Sequence, residues 1–520
     1  MARQKDPNDP SNASLAYESM TETWDMIETV LGGTRAMREA AQAYLPQHDE
    51  ESDTNYGDRL ASNVLFNVLE ITLENFVGRP FSDPVKLNDD VPAEIRGIAA
   101  NIDLQGNDIT SFCREWFREG LAKGFAHVLV DMPSLSPDAQ VNRTLADDRT
   151  DGRRPYWVFI KPENLIAAYS EIVNTSDGPR ERITHARIRE CVVERRGFLE
   201  VEVEQIRVLE PGTWAIYRVV DDRRRKQVWR IVDQGETGID FVPITTYYAS
   251  KRKGLMQAKP PFEDLAFLNV RWWQSNADQI NVLTVARFPM LAVAGATDAS
   301  GATMKIGPRQ LLGTKDANGK FYYVEHSGKS INAGRQDLLD IEEQMSNYGS
   351  VFLKRRPGNQ VATARALDSA EASSPLEDMT VRFINSVNNA MAFTAKWMNI
   401  SAGGGTVRIT TDWGPEEESK FDLDFLVAMR KARDISREAI IDEAKRRGLL
   451  ADNFDSVVDL EQLYAESDVL KPLEPLVPGT FDVNNPPQTD PSLVDQLRVQ
   501  VNKRKAQASA AGPASGIQGK

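Results

Sequence analysis

The residues of this 520-residue chain best suited by type to chemistry are Ser327-Gly328-Lys329-Ser330. They follow a strand pattern and precede a helical one, where a phosphate-binding loop would stand. A Walker A loop also needs a glycine five positions before Gly328, so that backbone N–H groups can wrap the phosphates. Tyr323 holds that position. The expectation is a strand-to-helix turn with Ser330 as its cap, and a nucleotide hydrolase using Gly328-Lys329-Ser330 is a rival reading. The four histidines, His48, His127, His185 and His326, have no partner at the i, i+4 spacing that sets two ligands on one helix face. The two cysteines, Cys113 and Cys191, make neither a disulfide framework nor a multi-cysteine metal site, and they suit a reducing cytoplasm. There is no G-x-S-x-G elbow. Nothing nominates a nucleophile or a general base, so a protein without catalysis, cofactor or metal is expected.

Charge gives the next constraint. The chain carries a net charge of −14, which argues against a surface that grips nucleic acid tightly. Acidic groups such as Glu342-Glu343 and Glu416-Glu417-Glu418 read as solvated faces. Arg223-Arg224-Arg225-Lys226 and Lys251-Arg252-Lys253 read as solvated turns. Lys354-Arg355-Arg356 differs, because Gly349, Pro357 and Gly358 flank it between two long helical patterns. A cationic loop there can touch phosphates transiently; a merely solvated loop stays open as the alternative. No run of 18 apolar residues suggests a membrane span, and Met1 to Ser14 has no apolar leader-like core.

The elements that position these residues run from Lys259 to about Ile400. Phe262, Leu265, Leu268 or Asn269, Trp272, Asn276, Ile280 and Leu283 fall three or four apart and predict a helix from Pro260 to Ala286, about 40 Å long. Its opening prolines suit a first turn. Short strand patterns follow at Met290–Val293 and Phe321–Val324. A second helix is expected from Ile331 to Tyr348 (Leu338, Ile341, Met345), then the basic loop, then a long helix through Phe383, Val387, Met391 and Trp397. Trp272-Trp273 reads as packing between helices. Upstream, helices are expected at 15–45 with a break at Gly32-Gly33, at Arg59–Phe76 and at Phe112–Lys123, with a buried strand at His127–Val130. From 156 to 248 the period changes to two, with strands at Trp157–Ile160, Ile183–Val193, Phe198–Val208, Trp214–Val220, Gln227–Val232 and Phe241–Tyr248. Downstream come a small-residue loop at Ser401–Gly405, a strand at Thr406–Trp413, and helices at Phe421–Arg433 and Ser436–Arg447. The tail from Gln500 is rich in Ala, Ser, Gly and Lys and reads as disordered. The fold class is α+β.

This order of elements resembles the portal proteins of tailed double-stranded DNA bacteriophages. The residues that carry the resemblance are Pro260-Pro261-Phe262-Glu263-Asp264-Leu265 through Asn269 and Ser275-Asn276-Ala277-Asp278, then Ala286-Arg287-Phe288-Pro289-Met290-Leu291. Ala366-Leu367 to Leu376-Glu377, Val77-Gly78-Arg79-Pro80-Phe81 and Ser436 to Leu450 add to it. The resemblance implies an N-terminal helical arm (1–45), a wing (46–255, including the β-rich block 156–248) and a first stem helix (256–285). It implies a small α/β clip (286–330), a second stem helix (331–349), a tunnel loop (350–365), a long wing helix and strand (366–415), a helical crown (416–468) and a flexible tail (469–520). Leu265, Trp272, Ile280, Leu338 and Met345 would pack the stem, and Lys354, Arg355 and Arg356 would approach DNA. The implied partners are further copies of the chain in a dodecameric ring, double-stranded DNA in transit, the terminase large subunit, a head–tail adaptor, and the major capsid and scaffolding proteins. The implied place is the portal vertex of a virion, assembled in the host cytoplasm. A conduit for DNA must not hold it, since each neutralised phosphate adds a counterion-release term; an acidic chain with a few loop cations satisfies that. A minor head or adaptor protein without a channel is the other structural reading.

Overall fold

The computed structural model describes residues 6–133, 147, 151–175, 178–221, 227–287, 290–294, 320–324, 329–351, 375–411, 428–431, 435–446 and 458–459. The chain divides into two compact units, Met1–Trp413 and Gly414–Lys520. Helix and strand are mixed throughout the first.

The first unit begins with α1 (Leu15–Leu31), whose first turn is held by Ser14 accepting from the Tyr17 N–H, and α2 (Gly33–Ala40). Next come α3 (Asp53–Ser62) and α4 (Val68–Gly78). The single helix expected over Arg59–Phe76 is therefore two, parted by extended backbone at Asn63. Asn67 caps α4 by accepting from the Glu70 N–H at 3.1 Å. After β1 (Lys86–Leu87) and α5 (Ala93–Ile98), Asp108 caps α6 (Ile109–Lys123), and Gly124 ends it at φ +93°.

β2 (Phe125–Asp131) is the central strand of a three-stranded antiparallel sheet, between β3 (Tyr156–Ile160) and β9 (Ile244–Tyr248). Successive side chains of a strand point to opposite faces, and β2 uses both. Ala126, Val128 and Val130 enter a large helical core, whereas Phe125 and Leu129 enter a second core with Trp24, Ile166, Ile188 and Ile206. The expected β block thus divides into two sheets. The second is a five-stranded antiparallel meander of β4 (Leu165–Thr175), β5 (Gly178–Arg196), β6 (Leu199–Glu210), β7 (Thr213–Asp221) and β8 (Gln227–Glu236). β4 was not expected. Its first half, Leu-Ile-Ala-Ala, shows no polar alternation because all four residues are buried.

A short ribbon of β10 (Arg252–Gly254) and β11 (Gln257–Ala258) leads to α7 (Glu263–Ala286). Lys251-Arg252-Lys253 is exposed, as expected, and Arg252 also makes two hydrogen bonds to Glu181, at 2.5 and 2.7 Å, and lies over the Tyr248 ring. β12 (Met290–Ala294), β13 (Lys320–Val324) and α8 (Lys329–Val351) follow. Ser330 falls inside the first turn of α8 rather than at its cap. α9 (Pro375–Trp397) lies across the helical face of the three-stranded sheet. There Phe383 meets Trp116, Phe117 and Tyr247 edge to face, with centroids 4.9–5.1 Å away. The glycine loop after α9 packs onto it so closely that a Cβ on Gly404 would sit 2.2 Å from the Met391 carbonyl carbon. Of the strand expected over Thr406–Trp413, the described residues, up to 411, form the two-residue β14 (Val407–Arg408), paired with β1, and the rest lies outside them. In the second unit, α10 (Arg437–Arg446) is capped as expected by Ser436, which accepts from the Ala439 N–H.

Candidate functional site

The candidate site is the hairpin of α7 and α8. Both helices are long, 24 and 23 residues, or about 35 Å each at 1.5 Å per residue. They run antiparallel, because contacts move backward along α8 as they move forward along α7. Tyr348 donates to the Pro261 carbonyl at 3.1 Å, the Trp272 indole N–H to Glu342 at 3.0 Å, and the Gln279 amide to the Ile331 carbonyl at 3.0 Å. Gly334 permits that last approach: a Cβ there would lie 2.1 Å from Gln279 Oε1. β12 and β13 pair antiparallel at the far end, Met290 opposite Val324 and Ala294 opposite Lys320.

A polar clamp fixes the near end of α7 to the body. Asn63 donates to the Trp273 carbonyl at 2.8 Å and accepts from Asn276 at 2.8 Å. Asn269, fully buried, accepts from the Leu69 N–H at 2.9 Å and donates to the Phe66 carbonyl at 2.7 Å. The extended stretch between α3 and α4 thus satisfies its backbone through side chains of two helices, Arg38 and Thr34 of α2 on the Asn63 carbonyl and Leu65 N–H, and Asn276 and Asn269 of α7 on the Val64 and Phe66 carbonyls. Farther along, buried Arg59 binds Glu51 through two hydrogen bonds, at 2.9 and 2.7 Å, and reaches Asp278 at 3.3 Å. Those hydrogen bonds hold the Glu51 carboxyl below its usual range. His48 also meets Asp278, at 3.1 Å. Among the described residues, the hydrogen bonds tying α7 to the body come from residues up to Asp278; from Gln279 onward its side-chain partner outside the helix is α8.

Leu265 and Met345 are fully buried and Trp272 nearly so, all in the helical core; Leu338 packs against its edge and Ile280 is half-buried. Glu342, expected on a solvated face, instead takes the Trp272 indole hydrogen bond. Lys354, Arg355 and Arg356 lie outside the described residues, as do Arg223-Arg224-Arg225-Lys226 and Gly328. The clamping roles of Asn63, Asn269 and Arg59 and the cap at Asn67 were not legible in the sequence, which placed Asn269 only on the stripe of the first stem helix. The signal at the break was Asn63 and Asn67, four residues apart inside an apolar run: Asn67 restarts the helix by accepting from the Glu70 N–H, whereas Asn63 turns away to bond α7.

One cluster has the geometry of a cation site. Glu28, Glu119 and Glu163 place carboxylate oxygens within 4.8 Å of one another. The cation among them is the buried ammonium of Lys123, 2.8 Å from Glu28, 2.7 Å from Glu119 and paired with Glu163. Burial alone would lower the pKa of Lys123, but the carboxylates outweigh it and raise it. The cluster ties α1, α6 and the turn before β4 together.

Residues 261–398, which span the hairpin and α9, match a family described as a domain of unknown function (DUF4055). No curated protein matches the chain. Among solved structures, the chain is similar to a chain in the neck of an empty GTA particle computed with C6 symmetry, at 12% identity, over 80% of this chain and 98% of that one, with a TM-score of 0.36. It is similar to a chain in the virion of a native gene transfer agent (GTA) particle at 11% identity, over 82% and 98%, with a TM-score of 0.32. In the neck of a native GTA particle computed with C12 symmetry the identity is 10%, the coverage 78% and 97%, and the TM-score 0.35. Among the described residues, no helix is long and apolar enough to cross a membrane.

Proposed function

We propose that this chain is a portal subunit: a structural protein that forms a ring with copies of itself at one capsid vertex, through which DNA is packaged by terminase and later released, and to which the head–tail adaptor binds. The observation that carries the reading is the hairpin. Two antiparallel helices of matched length, tipped by a two-stranded ribbon, extend past the last clamp residue, Asp278. A two-stranded ribbon on a helix pair has little core of its own, so such a projection suits packing against neighbouring copies around an axis. The hairpin is the stem of this reading and 286–330 its clip. The loop 350–365, with Lys354, Arg355 and Arg356, approaches DNA, and 416–468 form the crown. The net charge of −14 fits a channel that lets DNA pass.

The test is the assembled species. Native mass measurement and negative-stain images of the purified chain are expected to give a closed ring of identical subunits, near twelve, around an open centre. A chain that stays monomeric with every capsid partner present, or a closed oligomer with no hole, ends the reading.

A further inference from the structure

We propose that copies of this chain join head to tail through the tip of the β5–β6 hairpin, seated in a cleft at the opposite end of the same sheet in the next copy. β4 pairs with β5 only as far as Ile188, and β7 joins β6 only from Gln205. Between those limits, from Cys191 paired with Glu204 to Arg196 paired with Leu199, the ribbon runs on as two strands. Its turn is the two-residue type that favours glycine first, with Gly197 at φ +71°. Yet the tip is apolar: Phe198 is 101% exposed, Leu199 64% and Val193 58%. Arg195 and Arg196 precede the turn, Arg195 donating to the Gly197 carbonyl at 2.7 Å and Arg196 lying 65% exposed 3.6 Å from Glu194. A cluster of this kind on a projecting turn marks a surface meant to be covered.

The cleft lies at the other end of the meander and has a volume of about 290 Å³. Val173, Ile183, Pro211 and Phe241 give it apolar walls. Phe241 is backed by Phe393 of α9 at 5.0 Å and overlaid by the Arg182 guanidinium at 4.4 Å, so its floor is preformed. At its mouth the Asp240 carboxylate is 93% exposed, with Arg182 3.8 Å away. An aromatic anchor entering an apolar cleft, with arginines beside it meeting a carboxylate, is the pattern of an interface hot spot. The tip cannot reach its own cleft, because Arg182 and Arg196 stand about 45 Å apart along β5 at 3.3 Å per residue. The occupant therefore comes from a second molecule. Tip and cleft are unlike surfaces, so the contact is heterologous and repeats around a ring where the rotation closes. This contact rests on the ring reading above.

The test uses the full chain in a Cys191→Ser background. Chains carrying Phe198→Cys are assembled with chains carrying Val173→Cys and oxidised. A covalent dimer is expected from the mixture and none from either variant alone. Phe198→Ser is expected to weaken self-association at least tenfold by sedimentation while leaving the thermal melting of the monomer unchanged. Rings that form normally, with no mixed cross-link and with Phe198→Ser assembling at wild-type concentration, overturn this contact and leave the ring reading standing. A wild-type chain that stays monomeric overturns both.

Discussion

Arg59 sits where a charge is hardest to place, and it is tolerated because Glu51, Asp278 and the Pro46 carbonyl together occupy its donors. Removing one member of a buried pair leaves the other charge uncompensated, whereas removing both can be nearly neutral. Arg59→Met is therefore expected to cost about 3–5 kcal/mol in urea unfolding, and Arg59→Met with Glu51→Leu to recover most of it. His127 shows the opposite solution. It lies fully buried on β2 beside Phe125, with Nδ1 2.8 Å from the Thr246 hydroxyl, and burial pushes its pKa down to about 3. An unfolded histidine titrates near 6.5. Between those values the unfolded chain binds a proton that the folded chain refuses, so stability present above about pH 6.5 is lost as the pH falls. From pH 7 to pH 5 the loss should be about 2 kcal/mol. His127→Gln should flatten the stability profile over that interval; an unchanged slope would show that His127 is not its source. Both residues were visible as letters, and neither was visible as buried.

At the scale of elements, the break between α3 and α4 is the most consequential departure from the expected pattern. Leu60, Val64, Leu65, Val68 and Leu69 have helical spacing, and helical periodicity counts apolar residues without registering what Asn63 and Asn67 can bind. In the folded chain Val64 and Phe66 point outward while Asn63 and Leu65 point inward, a period of two within a stretch that scans as three and a half. Asn269 holds that geometry. Asn269→Leu keeps the volume but strands the Leu69 N–H and the Phe66 carbonyl, each worth about 1–3 kcal/mol when buried and unpaired. The expected outcome is a loss of about 2–4 kcal/mol, with amide exchange rising first over residues 64–69. Exchange rising equally everywhere would mean that the clamp is no local element. The strongly periodic helices α6, α7 and α9 were legible because each has an apolar stripe longer than three turns and a clean stop, such as Gly124. β4 was illegible for the converse reason: its opening, Leu165–Ala168, is buried on both faces and the rest of it largely exposed, so neither part alternates.

At the scale of the whole first unit, β2 is the partition. Helices pack on one of its faces and the base of the meander on the other, and α7 leaves the helical side with its far end beyond the clamp. In the portal reading, the cations of the loop 350–365 act on DNA without shaping the ring. Changing Lys354, Arg355 and Arg356 together to glutamate should leave rings intact by electron microscopy while reducing the DNA packaged per particle; unaltered packaging would remove those residues from the channel.

The sequence by itself determined the mixed class and the order of helix, short strands, returning helix and long helix, because local periodicity and stop residues specify an element from its own neighbours. It also determined the acidic balance, which is a matter of counting. Only the tertiary structure decided that the β block is two sheets on two cores, that Asn63 leaves a helix to grip α7, and that Lys123 fills a cage of three carboxylates. Each of these depends on groups that are distant in sequence meeting in space, where burial makes an unpaired polar atom costly and so selects the one backbone path that pairs it.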